Sequence, residues 1–379
     1  SKPFRVMEAA LTDRMKSKPK LPRRTWAIEE RCRAWSTVAP DEGERRVLEG
    51  ESLLCVGIAG TGKTTYCRGL VERLRACGKR VDVVSKTHVA SIRAGGVTAD
   101  HWVRRHVING APSCDCLWID EISQLDVGLW LQLSKLTYTG MQFLLSGDFH
   151  QFSPIGNSFR GSMIPENAFE ASGLLNTLAG GNRVELVECR RSDAELFDFY
   201  SSIIKGGSRF ESGLAAAVRE ARARLTYDGL AEHNLVISHQ KRIRLNRELN
   251  QQLAPQDAVR LEVTGKASHG NMAQTMLLWP GIVLIGCLAL SKHGIQNGVL
   301  YTVESVTSEA VVLLGGASLS HSQVKTSLRL SYAQTYASCQ GSEFDGPLRL
   351  HDTSHKFFSL KHLFVGLSRA KVAAEVGLA

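Results

Sequence analysis

The stretch "SLLCVGIAGTGKTTYCRGLVERLRACG", residues 52–78, constrains the fold more than any other. An apolar run, "SLLCVGI", suits a buried strand. Cys67, Leu70, Val71 and Leu74 then recur at helical spacing, and Gly78 is placed to cap the helix. Between them lies G-x-x-x-x-G-K-[ST], from Gly57 through Gly60 and Gly62 to Lys63, Thr64 and Thr65. Glycines let the backbone curl so that successive N–H groups face a polyphosphate. The lysine reaches the β- and γ-phosphates, and the Thr64 hydroxyl ligates Mg²⁺. Strand, loop and helix in that order put the phosphates at a helix N-terminus, where the dipole favours anions. The loop is therefore expected to hold ATP or a similar nucleoside triphosphate.

The rest of the chain fits an α/β protein. From Ser52 to about Leu145 apolar runs alternate with helical patterns, and "SLLCVGI", "VDVVSK", "CLWIDE" and "MQFLLSGD" are the expected strands of a covered parallel sheet. A second cycle starts near Val184. "VELVEC" and "LVISH" read as strands, and "DAELFDFYSSIIKG" and "KRIRLNRELNQQLA" as helices, the latter with Leu245, Leu249 and Leu253 four apart. From about Leu261 short strands separated by Gly and Asn turns predict a small β-barrel or meander. The expected division is a basic lead and helix over 1–50, a first lobe over 51–180, a second lobe over 181–260 and 331–379, and a β-rich insertion over 261–330.

Composition sets outer bounds. The length, 379 residues, is long for one core and suggests two or three domains. No apolar run approaches the roughly 20 residues needed to span a bilayer, and the first residues lack a secretory h-region. Ser1 rather than Met at the start reads as a fragment or a processed chain. Nine cysteines without a C-x-x-C pair point to reduced thiols and an intracellular protein. A formal charge of +9 favours an anionic partner, nucleic acid first.

Two further strand ends carry acids. "CLWIDEIS" ends in Asp120, placed to complete a Mg²⁺ site with Thr64, and Glu121, placed to polarise a water for in-line attack on the γ-phosphate. "FLLSGDFHQFSPI" carries Asp148 and Gln151; an amide both donates and accepts, so Gln151 suits the γ-phosphate or the attacking water.

In order and spacing, "GIAGTGKTT", "WIDEIS", "LLSGDFHQFSPI", "ECRRSD", "YASCQGSEFD" and "FVGLSRAK" resemble the motifs of superfamily-one helicases, in particular the Pif, RecD and Dda branch. The resemblance runs from about Leu53 to Lys371. It implies two RecA-like lobes with ATP in the cleft between them, an SH3-like character for the β-rich insertion, and 5′ to 3′ movement. It also implies that Arg190 approaches the γ-phosphate from the second lobe, with Arg191 a competing assignment, that Arg369 is the arginine finger, and that Glu343 lies near the ribose. In the first lobe Thr87, His88, Thr98 and Trp102 match the grip on single-stranded nucleic acid, with Trp102 offering a face for base stacking. In the second lobe Thr335, Ser338 and Gln340 match the opposite grip.

The chain departs from the family twice. No glutamine precedes Gln124, so the adenine recognition that such a residue usually supplies is truncated away, replaced or relaxed. Only "VRRHVINGAPSCDC" lies between Trp102 and Leu117, which is little material for a strand-splitting pin. The expected function is thus an ATP-dependent motor on single-stranded nucleic acid, DNA ahead of RNA. A P-loop kinase or GTPase-type switch is the alternative, and a non-hydrolysing nucleic-acid-binding module is a third reading that intact Lys63, Asp120, Glu121 and Arg369 oppose.

Overall fold

The computed structural model describes residues 34–154, 156–166, 168–205, 213–263 and 274–379. The basic lead therefore lies almost wholly outside the described residues. The chain divides into two units, Ser1–Arg191 and Ser192–Ala379.

The first unit is built on strands β1 (Ser36–Val38), β2 (Leu53–Val56), β3 (Val81–Ser85), β4 (Val97–Thr98), β5 (Cys116–Asp120), β6 (Gln142–Gly147) and β7 (Asn182–Glu185). They form one sheet in the order β1-β7-β2-β6-β5-β3-β4, parallel throughout. Each central strand is apolar on both sides, so alternate residues feed two cores. Leu54, Val56, Leu117, Ile119, Phe143 and Leu145 enter one cluster. Leu53, Cys55, Cys116, Trp118 and Leu144 enter the other, with Cys67, Leu70, Val71 and Leu74 of helix α2 (Lys63–Ala76) against them. The helical stripe read from the sequence is thus the buried face. The unit's other helices include α1 (Pro40–Leu48), α3 (His88–Ala94), α4 (Ala99–Val103), α5 (Val127–Leu133) and α6 (Gly173–Leu178). The Arg104–Ile108 turn extends α4, so the short segment after Trp102 is spent on a helix and a loop.

One expectation about this unit is corrected. The pattern places "VELVEC" in the second lobe, from residue 181, but β7 lies between β1 and β2 in the first sheet. Val184 is fully buried there, packed in the same core as Leu53 and Cys55. A local strand pattern carries no record of which sheet it joins; the long-range pairing decided it.

In the second unit β8 (His233–Val236), β16 (Ala333–Thr335), β17 (Leu348–Leu350) and β18 (Val376–Leu378) make a parallel sheet in the order β16-β8-β17-β18. Its helices are α7 (Ala194–Lys205), α8 (Leu214–Arg224), α9 (His239–Leu253), α10 (His321–Ser327) and α11 (Leu360–Leu367). Tyr200 of α7 meets Phe364 of α11 edge-on at 5.8 Å. Between the parallel strands the chain inserts an antiparallel pair of β9 (Val259–Leu261) and β10 (Met276–Leu278) and an antiparallel sheet of β11 (Val283–Gly286), β12 (Leu300–Val306), β13 (Ala310–Leu313), β14 (Ser318–Ser320) and β15 (Leu328–Leu330). This is the expected β-rich insertion, and it has its own core, from Leu261 to Leu330.

Helix α9 behaves unlike its pattern. Its fully buried positions are Arg242, Asn246 and Asn250, while Leu253 is exposed. The asparagines act as short pieces of strand. Asn246 donates to Ala333 O (3.0 Å) and accepts from Ala333 N (2.9 Å), closing the open edge of β16; Asn250 brackets Leu277 of β10 in the same way, at 2.9 and 2.8 Å. Buried amides with both ends paired replace the leucine stripe as the packing face.

Candidate nucleotide site

The loop after β2 and the ends of β5 and β6 converge. Gly60 and Gly62 adopt φ of +88° and +85°, a region that favours glycine, and Gly62 precedes the first turn of α2. Lys63 is buried, and its Nζ donates to Gly57 O (2.7 Å) and Ile58 O (3.1 Å), which holds the ammonium over the loop. Thr64 Oγ1 donates to Asp120 Oδ2 at 3.1 Å, joining the loop to the end of β5. Thr65 follows in the same first turn of α2.

Asp120 stands in a buried relay. Trp118 Nε1 donates to Ser146 Oγ (2.8 Å), and Ser146 Oγ donates to Asp120 Oδ1 (2.6 Å). Trp118 and Ser146 are fully buried, and Asp120 nearly so. Burial pushes the Asp120 carboxyl above its ordinary range, and the neighbouring charge of Glu121 adds to that; the bonds from Ser146 and Thr64 oppose it. A carboxylate desolvated beside a second acid invites a cation. The donor set fits one: Thr64 and Asp120 offer two hard oxygens, and a small divalent ion commonly completes such a site with phosphate oxygens and water.

Glu121 is the strained residue of the site. It sits in the left-handed region at φ 54°, ψ 47°, which costs a non-glycine residue on the order of 1–3 kcal/mol. Close packing enforces the turn: a Cβ on Gly147, at the end of β6, would lie 2.6 Å from Ile122 Cγ1. Glu121 Oε1 accepts from Arg93 Nη2 at 3.1 Å, whereas Oε2 is buried without a hydrogen-bond partner. Gln151 presents a second orphaned acceptor: its Nε2 donates to Asp148 Oδ2 (3.3 Å), and its Oε1 is buried and unbonded. An orphaned carbonyl accepts but cannot donate, so of the two roles left open for Gln151 this geometry suits a water better than a phosphate oxygen. Burial raises the Asp148 carboxyl, but bonding to His150 and the charge of Lys63 outweigh it and hold the group below its ordinary range.

Two members of this site, Ser146 and Arg93, are not among the sequence candidates, and a third has no role there. Ser146 had a signal, a lone polar residue inside the apolar run "FLLSG". Asp148 was singled out at a strand tip without a role. Arg93 had no signal, since one arginine in a short helix is unremarkable.

The other expected residues scatter more widely. Arg190 belongs to the first unit, against the expectation that it comes from the second lobe. Because β7 completes the first sheet, the following residues return over the loop, where Arg190 N donates to Gly60 O at 2.8 Å. Its side chain passes beside Gly62, and the exposed guanidinium lies 3.5 Å from Glu188. Arg369 belongs to the second unit, buried, donating to Val365 O (3.1 Å), Ser342 O (3.3 Å) and Ser368 Oγ (2.9 Å). Glu343 is exposed on the same unit.

Among the strand-gripping residues, Thr87 caps α3 by accepting from Ala90 N at 3.2 Å, and His88 and Thr98 are half-buried. Trp102 contradicts its assignment. It is 2% exposed, sits in the sheet's core and donates Nε1 to Asp82 at 2.7 Å, so no ring face is open for a base. Ala99, Trp102 and Val103 are the buried residues of α4 and face this core together. In the second unit Thr335 and Ser338 bond each other, Oγ1 to Oγ at 2.9 Å, and stabilise one turn just after β16; Gln340 follows, half-buried.

Comparison with known proteins places this architecture. A family model for an AAA domain matches residues 44–207. The Pif1 helicase structure from Candida albicans superposes with a TM-score of 0.63 at 19% identity, covering 89% of this chain and 93% of that one. The fold is that of the Pif1 helicases. A Bacteroides Pif1 in complex with ADP-AlF3 and ssDNA gives a TM-score of 0.63 at 19% identity, covering 89% and 91%. In sequence, the ATP-dependent DNA helicase PIF3 of Trypanosoma brucei brucei is 30% identical over 155 residues, and PIF1 of Rattus norvegicus 23% identical over 430. These alignments cover 35% and 96% of this chain, but the chain spans only 19% and 65% of those proteins. The motif resemblance to the Pif branch is upheld, as are two parallel-sheet lobes. A Pif1-type fold accounts for the second unit, which the kinase or switch alternative leaves unexplained. No helix among the described residues is long and apolar enough to cross a membrane.

Proposed function

We propose that this chain is an ATP-driven motor that moves along single-stranded nucleic acid, DNA ahead of RNA, in the 5′ to 3′ direction. The observation that carries the reading is the meeting of Lys63, Thr64, Asp120 and a strained Glu121 with an orphaned oxygen at one end of a parallel sheet. In this reading Gly57, Gly60, Gly62 and Thr65 cradle the phosphates through backbone N–H groups, and Lys63 exchanges its loop carbonyls for phosphate oxygens. Thr64 and Asp120 would hold Mg²⁺, which neutralises charge on the β- and γ-phosphates when bound. Glu121 Oε2 accepts the proton of the attacking water, and Gln151 Oε1 helps to orient that water. Arg190, which runs beside the loop, and Arg369 are the proposed partners of the developing phosphoryl charge, and Glu343 of the ribose. Thr87, His88, Thr98, Thr335, Ser338 and Gln340 are the proposed backbone contacts, which bind phosphate without reading sequence. Trp102 is left out of that set. The work is proposed to be intracellular, where ATP and nucleic acid templates occur together.

The test is steady-state ATPase with and without single-stranded DNA or RNA of equal length. Stimulation that fades as salt rises is expected, because phosphate contacts release counterions. Glu121→Gln should bind nucleotide yet nearly abolish turnover, and Lys63→Ala should weaken nucleotide binding itself. A rate indifferent to polynucleotide at low salt sinks the motor reading.

A further inference from the structure

Arg93 stands where three parts of the first unit meet. It is the penultimate residue of α3, the helix that follows directly on Thr87. Its Nη2 donates to Glu121 Oε1 at 3.1 Å, and only about a quarter of its side chain is exposed. Its carbonyl accepts from Arg68 of α2, the helix that begins at Lys63. The guanidinium is therefore anchored to the phosphate-loop helix through its backbone and to the acid through its side chain.

The contact is selective between the two oxygens of Glu121. Oε1 is engaged; Oε2 is buried and unbonded. A buried carboxylate oxygen without a partner costs roughly 1–3 kcal/mol or more, so it persists where something else compels the geometry. Here the left-handed backbone at Glu121 and the Arg93 contact both compel it. Without Arg93, the carboxylate plane of Glu121 would swing about its last torsion, because carboxylate terminal torsions are broad. The ion pair removes that freedom and leaves one defined acceptor.

We propose that Arg93 is a positioning residue for hydrolysis, fixing Glu121 Oε1 so that Oε2 alone faces the attacking water, and that this alignment depends on where α3 sits. The inference rests on the reading of Glu121 as the base. It adds a route by which the strand reaches the chemistry: polynucleotide held at Thr87 and His88 sets the position of α3, and α3 carries Arg93. The stimulated rate, more than the basal rate, then requires the arginine. Arg93 touches neither water nor phosphate in this scheme.

The experiment measures kcat and KM for ATP of the full chain, with and without saturating single-stranded oligothymidylate, for wild type, Arg93→Ala, Arg93→Gln and Glu121→Gln. Arg93→Ala and Arg93→Gln should lower the stimulated kcat by about tenfold or more, part of the roughly 10²–10⁴-fold that a placed general base supplies. KM should change by less than about twofold, as expected when an interaction made only in the transition state is lost. The ratio of stimulated to basal rate should collapse with it. A merely structural role would lower both rates together with the melting temperature and leave that ratio intact. If Arg93→Ala does not fold, Arg93→Gln, which keeps the start of the aliphatic stem and a polar end but is too short to reach Glu121 as Nη2 does, decides the matter. A wild-type stimulation ratio in Arg93→Gln overturns the proposal. Turnover by Glu121→Gln would overturn the base assignment itself, whatever the Arg93 variants do.

Discussion

Ser146→Ala tests whether the buried relay behind Asp120 is as coupled as its geometry. The substitution removes one oxygen that serves two partners: it accepts from Trp118 Nε1 at 2.8 Å and donates to Asp120 Oδ1 at 2.6 Å. Neither partner reaches solvent. Loss of a hydrogen bond to a charged acceptor costs about 1.5–3 kcal/mol, and an orphaned buried donor a further ~1–3 kcal/mol. The expected total is about 3–5 kcal/mol. For a unit of this size each kcal/mol moves the melting temperature by roughly 2–4 °C, so the first unit should melt about 10 °C lower. The assay is thermal unfolding without nucleotide, run as a double-mutant cycle with Trp118→Phe. In the Trp118→Phe background no indole N–H is left to orphan, so Ser146→Ala should cost about 1–3 kcal/mol less. The Mg²⁺ concentration for half-maximal hydrolysis should also rise, because Asp120 loses a bond that favours its ionised form. Equal costs in both backgrounds, or a total below about 1 kcal/mol, would refute the relay.

Three more outcomes follow from the structure. Trp102→Ala should destabilise the first unit by about 3–5 kcal/mol as a core truncation, while the affinity of folded Trp102→Phe for single-stranded DNA stays at the wild-type value; a selective loss of affinity would restore the stacking role. Asp120 is raised above its ordinary 3.8 by burial and then by Glu121, so between the unfolded and the folded value the folded chain keeps a proton that the unfolded chain has released. Its stabilising contribution is full below the unfolded value and lost as pH rises through the folded value. Asp120→Asn should therefore gain stability relative to wild type as pH rises in nucleotide-free melts, while losing hydrolysis; a relative loss would reverse the sign of the argument. Asn246→Ala leaves both Ala333 backbone groups unpaired at the edge of β16 and should cost about 2–4 kcal/mol in urea unfolding, at about 1–3 kcal/mol for each orphaned group less what water restores.

The sequence by itself determined the nucleotide machinery and the parallel-sheet class, because both depend on short-range pattern. A strand, a glycine turn and a helix specify Gly57–Thr65 locally, and an apolar strand ending in Asp120 and Glu121 specifies its partner. Long-range pairing lay beyond such patterns. β7 reads the same in either sheet, and only its pairing with β1 and β2 assigns it to the first unit and brings Arg190 over the loop. Burial likewise separates chemistry from appearance. Trp102 looks like a stacking platform until Asp82 and the core enclose it, and α9 looks leucine-faced until Asn246 and Asn250 meet sheet edges. The Arg93–Glu121 contact joins residues 28 apart through the fold alone. Period and spacing record which residues share a face of one element; which neighbour that face meets is settled by the packing of the whole chain.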